Sequence, residues 1–168
     1  LDIGCGSGTI FKVLDTINYG VEPNSKRRLK AHFDPNNCYR FIYTGWGENT
    51  GCDLRFSTVL CWGAFCFMRS PMEVLIEVNR ILIKDGVFIL DINTKSNLAI
   101  IQTVDADSFI NWVGLFGFSL IEQRKFEDSY RVALAFRKNK DFDYKDLLMP
   151  QCIGDINNYN PKRDWYLK

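Results

Sequence analysis

The chain opens on LDIGCGSG, in which Gly4, Gly6 and Gly8 alternate with other residues directly behind a short Leu-Asp-Ile fragment. No other stretch narrows the available folds so far. Glycines at the end of a first strand let a ligand touch the backbone, because no Cβ stands in the way. A helix begun there adds free N–H groups and the positive end of its dipole. Dinucleotide loops carry Gly-x-Gly-x-x-Gly. Here the third glycine comes one residue early and Thr9 holds the dinucleotide position, which counts against a nicotinamide cofactor. No Gly-Lys-Ser/Thr follows, so a phosphate-binding P-loop is excluded.

Beyond the loop, short apolar runs alternate with helix-like stretches, the pattern of an α/β fold with a parallel sheet. Strands are predicted at Leu1–Ile3, Tyr19–Glu22, Tyr39–Tyr43, Thr58–Cys61 and Val87–Asp91. Helices are predicted at Gly8–Leu14 and, behind Asn24 as N-cap, at Ser25–Phe33. A third starts at SPME, with Ser70 as cap, Pro71 in the first turn and Glu73 three residues after the cap. Leu75, Val78, Ile81 and Leu82 recur at helical spacing and are expected to face the sheet. Lys84–Val87 is expected to end that helix, with Gly86 turning the chain. A last helix over Asp105–Phe116 precedes FSLIEQRKF and YRVALAFRK, which read as an antiparallel hairpin. After Lys140 the pattern fades into polar, turn-rich sequence.

These segments resemble, in order, the motifs of class I S-adenosylmethionine-dependent methyltransferases. LDIGCGSG is similar to motif I with its acidic residue. YGVEPN resembles the end of the second strand, YTGWGEN the third strand and its loop, and TVLCWGAF motif IV. SPMEVLIEVNRILIKDGVFILDI resembles the helix, turn and fifth strand that follow. The resemblance spans residues 1–138 and implies one methyltransferase domain, with 139–168 as an irregular extension. The implied fold is a Rossmann-like, doubly wound, mostly parallel sheet of seven strands in the order 3-2-1-4-5-7-6, with one antiparallel strand near its edge and helices on both faces. The chain has no initiator Met and opens inside a strand, so it reads as N-terminally truncated, without the helices that precede motif I.

The resemblance also assigns roles. The cofactor is S-adenosyl-L-methionine, and the product is S-adenosyl-L-homocysteine. Gly4, Cys5, Gly6 and Gly8 line its methionine and ribose, and Asp2 supports the loop or accepts from its ammonium. Glu22 accepts from the ribose hydroxyls, which a carboxylate with two oxygens can do, and Pro23 packs on the adenine. Where many members place an acidic residue over the adenine amino group, this chain has Trp46 and Gly47. Either the Trp46 indole stacks there or Glu48 takes the polar role. Cys61, Trp62 and Gly63 border the methionine and the transferred methyl. No general base is identified: the only histidine, His32, falls on the second predicted helix.

Composition limits the acceptor. The 168 residues carry a formal net charge of +1, which gives no electrostatic case for nucleic acid or an anionic membrane. The Asn/Asp-Pro-Pro-Tyr/Phe run of base-amino methyltransferases is absent, and CWGAF stands in its place. A small-molecule acceptor is therefore expected, with Asn93, Lys95 and Asn97 as candidates to face it. The six cysteines form no Cys-x-x-Cys pair, so no metal site is expected. They read as free thiols of a cytoplasmic protein. No apolar run has membrane-spanning length. Two rivals remain: a non-catalytic methyltransferase-like binding or regulatory module, and a nucleotide-binding oxidoreductase.

Overall fold

A computed structural model describes residues 1–14, 19–35, 41–94, 104–127 and 130–144. Its strands are β1 (Asp2–Ile3), β2 (Tyr19–Val21), β3 (Phe41–Tyr43), β4 (Phe56–Cys61), β5 (Leu82–Asn93), β6 (Phe118–Lys125) and β7 (Arg131–Lys138). They form one sheet in the order β3-β2-β1-β4-β5-β7-β6. Pairing is parallel from β3 to β5, and β7 runs antiparallel to both β5 and β6. The order matches expectation, with the reversed strand second from the edge.

Alternation along the strands sorts side chains to two faces. Val59, Cys61, Phe88, Leu90 and Ile92 join the larger core, which also takes in the buried faces of α2 (Pro71–Ile81) and α3 (Ala106–Gly114). Leu60 joins Cys5 and Phe11 on the opposite face, with Ile89 packed against them. Gly20 faces this second cluster, and a Cβ there would lie 2.7 Å from the Cys5 sulfur and from the Phe11 ring.

The caps that the sequence predicts fix the helix starts. Asn24 accepts from the Arg27 N–H at 3.1 Å ahead of α1 (Ser25–His32). Ser70 accepts from the Glu73 N–H ahead of α2, and Asp105 accepts from the Ser108 N–H at 2.9 Å ahead of α3. Val74, Leu75, Val78 and Ile81 are fully buried on α2.

Two expectations need correction. The predicted helix Gly8–Leu14 is a single 3-10 turn, Ile10–Lys12, with no side-chain cap at Thr9. The helix before the fifth strand ends earlier than predicted, since Leu82 already pairs with Phe56. Residues 83–86 bulge within β5, out of register with β4, before pairing resumes at Val87. Asp85, not Gly86, takes the positive φ of that turn, at 63°. Gly86 is needed for closeness instead: a Cβ would meet the Ile83 carbonyl oxygen at 2.9 Å. Tyr39, Arg40 and the tail from Lys145 onward lie outside the described residues. Among the described residues no helix is long and apolar enough to cross a membrane.

Candidate functional site

The parallel strands β1, β2, β4 and β5 deliver their C-terminal ends to one edge of the sheet, where ligands of open α/β folds bind. The glycine loop follows β1 there. Its Gly4 and Cys5 N–H groups donate to the Val21 carbonyl at 2.8 and 3.1 Å, which ties the loop to the end of β2. Gly4, Gly6 and Gly8 all hold positive φ, a conformation that L side chains rarely adopt. Gly4 also packs closely, because a Cβ would collide with the Ala64 side chain. Gly6 is the opposite case. At φ +58° its missing Cβ points into space with nothing within 4 Å.

Glu22, directly after β2, is 3% exposed. Its Oε2 accepts from the Gly6 N–H at 2.9 Å and its Oε1 from the Asn24 N–H at 2.8 Å. A carboxylate offers about four acceptor sites, so two remain for further donors. The Arg28 guanidinium donates to the Glu22 and Pro23 carbonyls at 2.8 and 3.3 Å, which holds that corner.

Asp2 is 1% exposed, and neither carboxyl oxygen has a hydrogen-bond partner among the described residues. Burial pushes its carboxyl up to about 7; the chain amino group lowers it and the Glu22 charge raises it further. An orphaned carboxyl beside an open glycine cradle suits a ligand that brings a cation and several donors. The residues present therefore fit a sulfonium nucleoside with an ammonium group.

Other predicted site residues have clear protein partners. The Cys5 sulfur turns into the second core cluster, leaving only its backbone on the loop. Cys61 is fully buried at the end of β4, and burial, with Asp2 and Asp91 nearby, raises its thiol well above the ordinary value. After β3, one face of the Trp46 indole carries the Arg69 guanidinium, 4.9 Å from the ring centre. Gly47 admits Met68, whose sulfur lies 2.7 Å from where a Cβ would stand. Glu48 Oε1 accepts from the Arg69 and Ser70 N–H groups at 2.6 and 3.0 Å, so this carboxylate positions the start of α2. Its Oε2 is buried with no partner among the described residues. His32 lies on α1, its ring 5.3 Å from that of Phe33. Asn93 is buried at the end of β5, whereas Lys95 and Asn97 lie outside the described residues.

Sequence reasoning missed Asp91 and Arg131. Asp91 is 2% exposed on β5 and accepts from the Gly63 N–H through Oδ1. Its Oδ2 accepts from Arg131 Nε at 2.7 Å. A carboxylate inside an otherwise apolar strand demands partners, and that was the available signal in VFILDI. Among the described residues no cluster of His, Cys, Asp or Glu could hold a metal.

Solved structures repeat this architecture. An S-adenosylmethionine-dependent methyltransferase from Thermotoga maritima superposes with a TM-score of 0.67 at 21% identity, over 82% of this chain and 80% of that one. One from Clostridium acetobutylicum gives 0.70 at 10% identity, over 83% of each. Magnesium protoporphyrin IX methyltransferase from Synechocystis, solved with S-adenosylmethionine bound, gives 0.66 at 15% identity, over 82% of this chain and 68% of that one. At such identities the likeness is one of fold. Among curated proteins none matches. The family described as "Methyltransferase domain" matches residues 1–90, more than half of the 168, and the chain belongs to that family.

Proposed function

We propose that the protein binds S-adenosylmethionine in the cradle between the β1 loop and Glu22 and transfers its methyl group to a small-molecule acceptor. The observation that carries this reading is the Gly6 N–H donating to Glu22 Oε2 at 2.9 Å while the Gly6 Cβ direction stays open. The bond joins the glycine loop to the carboxylate expected to read the ribose. The bound sulfonium supplies a methyl group already activated for displacement. What remains for the protein is to align acceptor, methyl and sulfur and to exclude water.

In this reading Glu22 accepts from the ribose hydroxyls through its two spare acceptor positions. Asp2 accepts from the ammonium, directly or through water. Gly4, Gly6 and Gly8 let the ligand approach the backbone, and Trp62 walls the methyl end. Trp46 and Glu48 border the adenine side, with Glu48 Oε2 available to accept a further bond. A net charge of +1 and the CWGAF sequence after β4 support a small molecule over a nucleic acid as acceptor.

Calorimetry with S-adenosylhomocysteine tests the reading, with NADH as the control ligand. Saturable binding of the first and none of the second is expected. Glu22→Ala should weaken it by about tenfold or more, the worth of one or two bonds to a charged group. Gly6→Val fills the open space and should abolish binding. Unchanged affinity in both variants defeats the site assignment. Methyl transfer to any acceptor from a chemically diverse panel then separates an enzyme from a binding module.

A further inference from the structure

Three elements converge on the loop that follows β4. From β5, Asp91 accepts from the Gly63 N–H through Oδ1, and through Oδ2 from Arg131 Nε at 2.7 Å; Arg131 Nη2 lies 2.6 Å from the same oxygen. From β7, the Arg131 guanidinium also lies over the Trp62 indole, 5.3 Å from its centre. From the end of β6, the Phe126 ring meets the Trp62 indole edge to face at 6.1 Å. Gly63 holds φ +67°, and its missing Cβ would lie 3.7 Å from Arg131 Nη2.

A carboxylate buried to 2% exposure is tolerated only with partners, and here each partner is fixed in turn. The Gly63 bond sets the orientation of one peptide in the loop. The Arg131 Nε bond, with the guanidinium charge against the same oxygen, sets the rotation of the carboxylate, and the guanidinium covers the indole. Resting on the functional reading above, we propose that Asp91 and Arg131 are a positioning pair. They hold the Trp62–Gly63 peptide in shape against the methionine and methyl end of the bound cofactor. Neither residue touches the reacting atoms. The methionine end of a ligand should therefore feel the pair, and the nucleoside end should not.

Arg131→Met, Arg131→Lys and Asp91→Asn test this in two measurements. The first is calorimetry with S-adenosylhomocysteine and with 5′-methylthioadenosine, which lacks the amino-acid portion. Arg131→Met should weaken the first ligand by about tenfold, the worth of one bond to a charged group. It should leave the second unchanged, and Arg131→Lys should restore part of the loss because it keeps the charge without the planar guanidinium and its Nε donor. The second measurement is amide hydrogen exchange of the ligand-free protein. Gly63 should exchange about tenfold faster in Arg131→Met and in Asp91→Asn, while the β4 amides hold their protection.

Equal weakening of both ligands overturns the proposal, as does unchanged exchange at Gly63. If the wild type binds neither ligand while Gly63 exchange responds, the functional reading fails and the holding of the loop stands. Should the Met variant melt below the assay temperature, Arg131→Lys reads the same two quantities.

Discussion

Asp2 is the residue on which the site's charge balance turns. Its carboxyl is raised from the ordinary value of 3.8 to about 7, chiefly by burial. Between those values the folded state holds a proton that the unfolded chain has lost, so stability falls as pH rises through that window. Subtracting the melting profile of Asp2→Asn from that of the wild type should isolate a decline between about pH 4 and 7. A difference profile that is flat there would remove the buried, protonated carboxyl. Adding S-adenosylhomocysteine should shrink the decline, because an ammonium beside Asp2 favours the charged form. At this scale the sequence was most informative where the constraint is local. Gly6 could be named because a bare backbone carries its own reason, and Glu22 because the resemblance implies an acidic residue at the end of the second strand. Asp91 and Arg131 could not be paired, because forty positions separate them and only the sheet brings them together. The side-chain partners of Trp46 and Glu48 were equally out of reach, as both come from the segment before α2.

The elements were legible wherever a cap or a strong apolar period announced them. Asn24, Ser70 and Asp105 all cap the helices that follow them. The 3-10 turn at Ile10–Lys12 was misread as a helix because apolar residues continue past it without an N-cap bond to stabilise a longer one. The bulge at 83–86 was misread because glycine is the usual carrier of positive φ, and here aspartate takes it. The stretch between β3 and β4 has almost no regular structure and depends on α2 for its shape. Glu77 Oε1, in a residue 7% exposed, accepts from the Thr50 N–H at 2.9 Å and from its hydroxyl at 2.6 Å. Arg80 Nε donates to Glu77 Oε2 at 2.7 Å, and Arg80 Nη2 reaches the Cys52 carbonyl at 2.7 Å. Burial alone would raise the Glu77 carboxyl, but the bonds from Arg80 and Thr50 outweigh it and hold it below 4.5. Its contribution is thus present above the ordinary carboxylate range and is lost as pH falls through the depressed value. Glu77→Ala should cost about 2–3 kcal/mol in denaturant melts, since it orphans the Thr50 N–H and the Arg80 fork. A cost near zero would mean the loop holds its shape alone.

Across the whole molecule, the last described residues are fastened to helices that precede them by far. Asn79, 2% exposed on α2, donates to the Phe116 and Lys140 carbonyls and accepts from the Phe142 N–H at 3.0 Å. Phe142 stacks on Phe116 with ring centres 5.2 Å apart. Lys138 Nζ, in a side chain 1% exposed, donates to the Asn79 and Leu82 carbonyls at 2.6 and 2.9 Å. A chain ending at residue 138 should therefore melt below one ending at residue 144, by about 5 °C for a loss near 1–2 kcal/mol. Coincident melts would show that residues 139–144 only rest on the surface. The placement of β7 has a temporal consequence as well. Its neighbours in the sheet are β5 and β6, so the gap between them closes only when β7 slots in. Arg131 arrives with that strand. On the ribosome, the glycine loop and Glu22 emerge before the guanidinium that lies over Trp62. The nascent chain must pass through a stage in which the glycine loop has been made and the guanidinium over Trp62 has not.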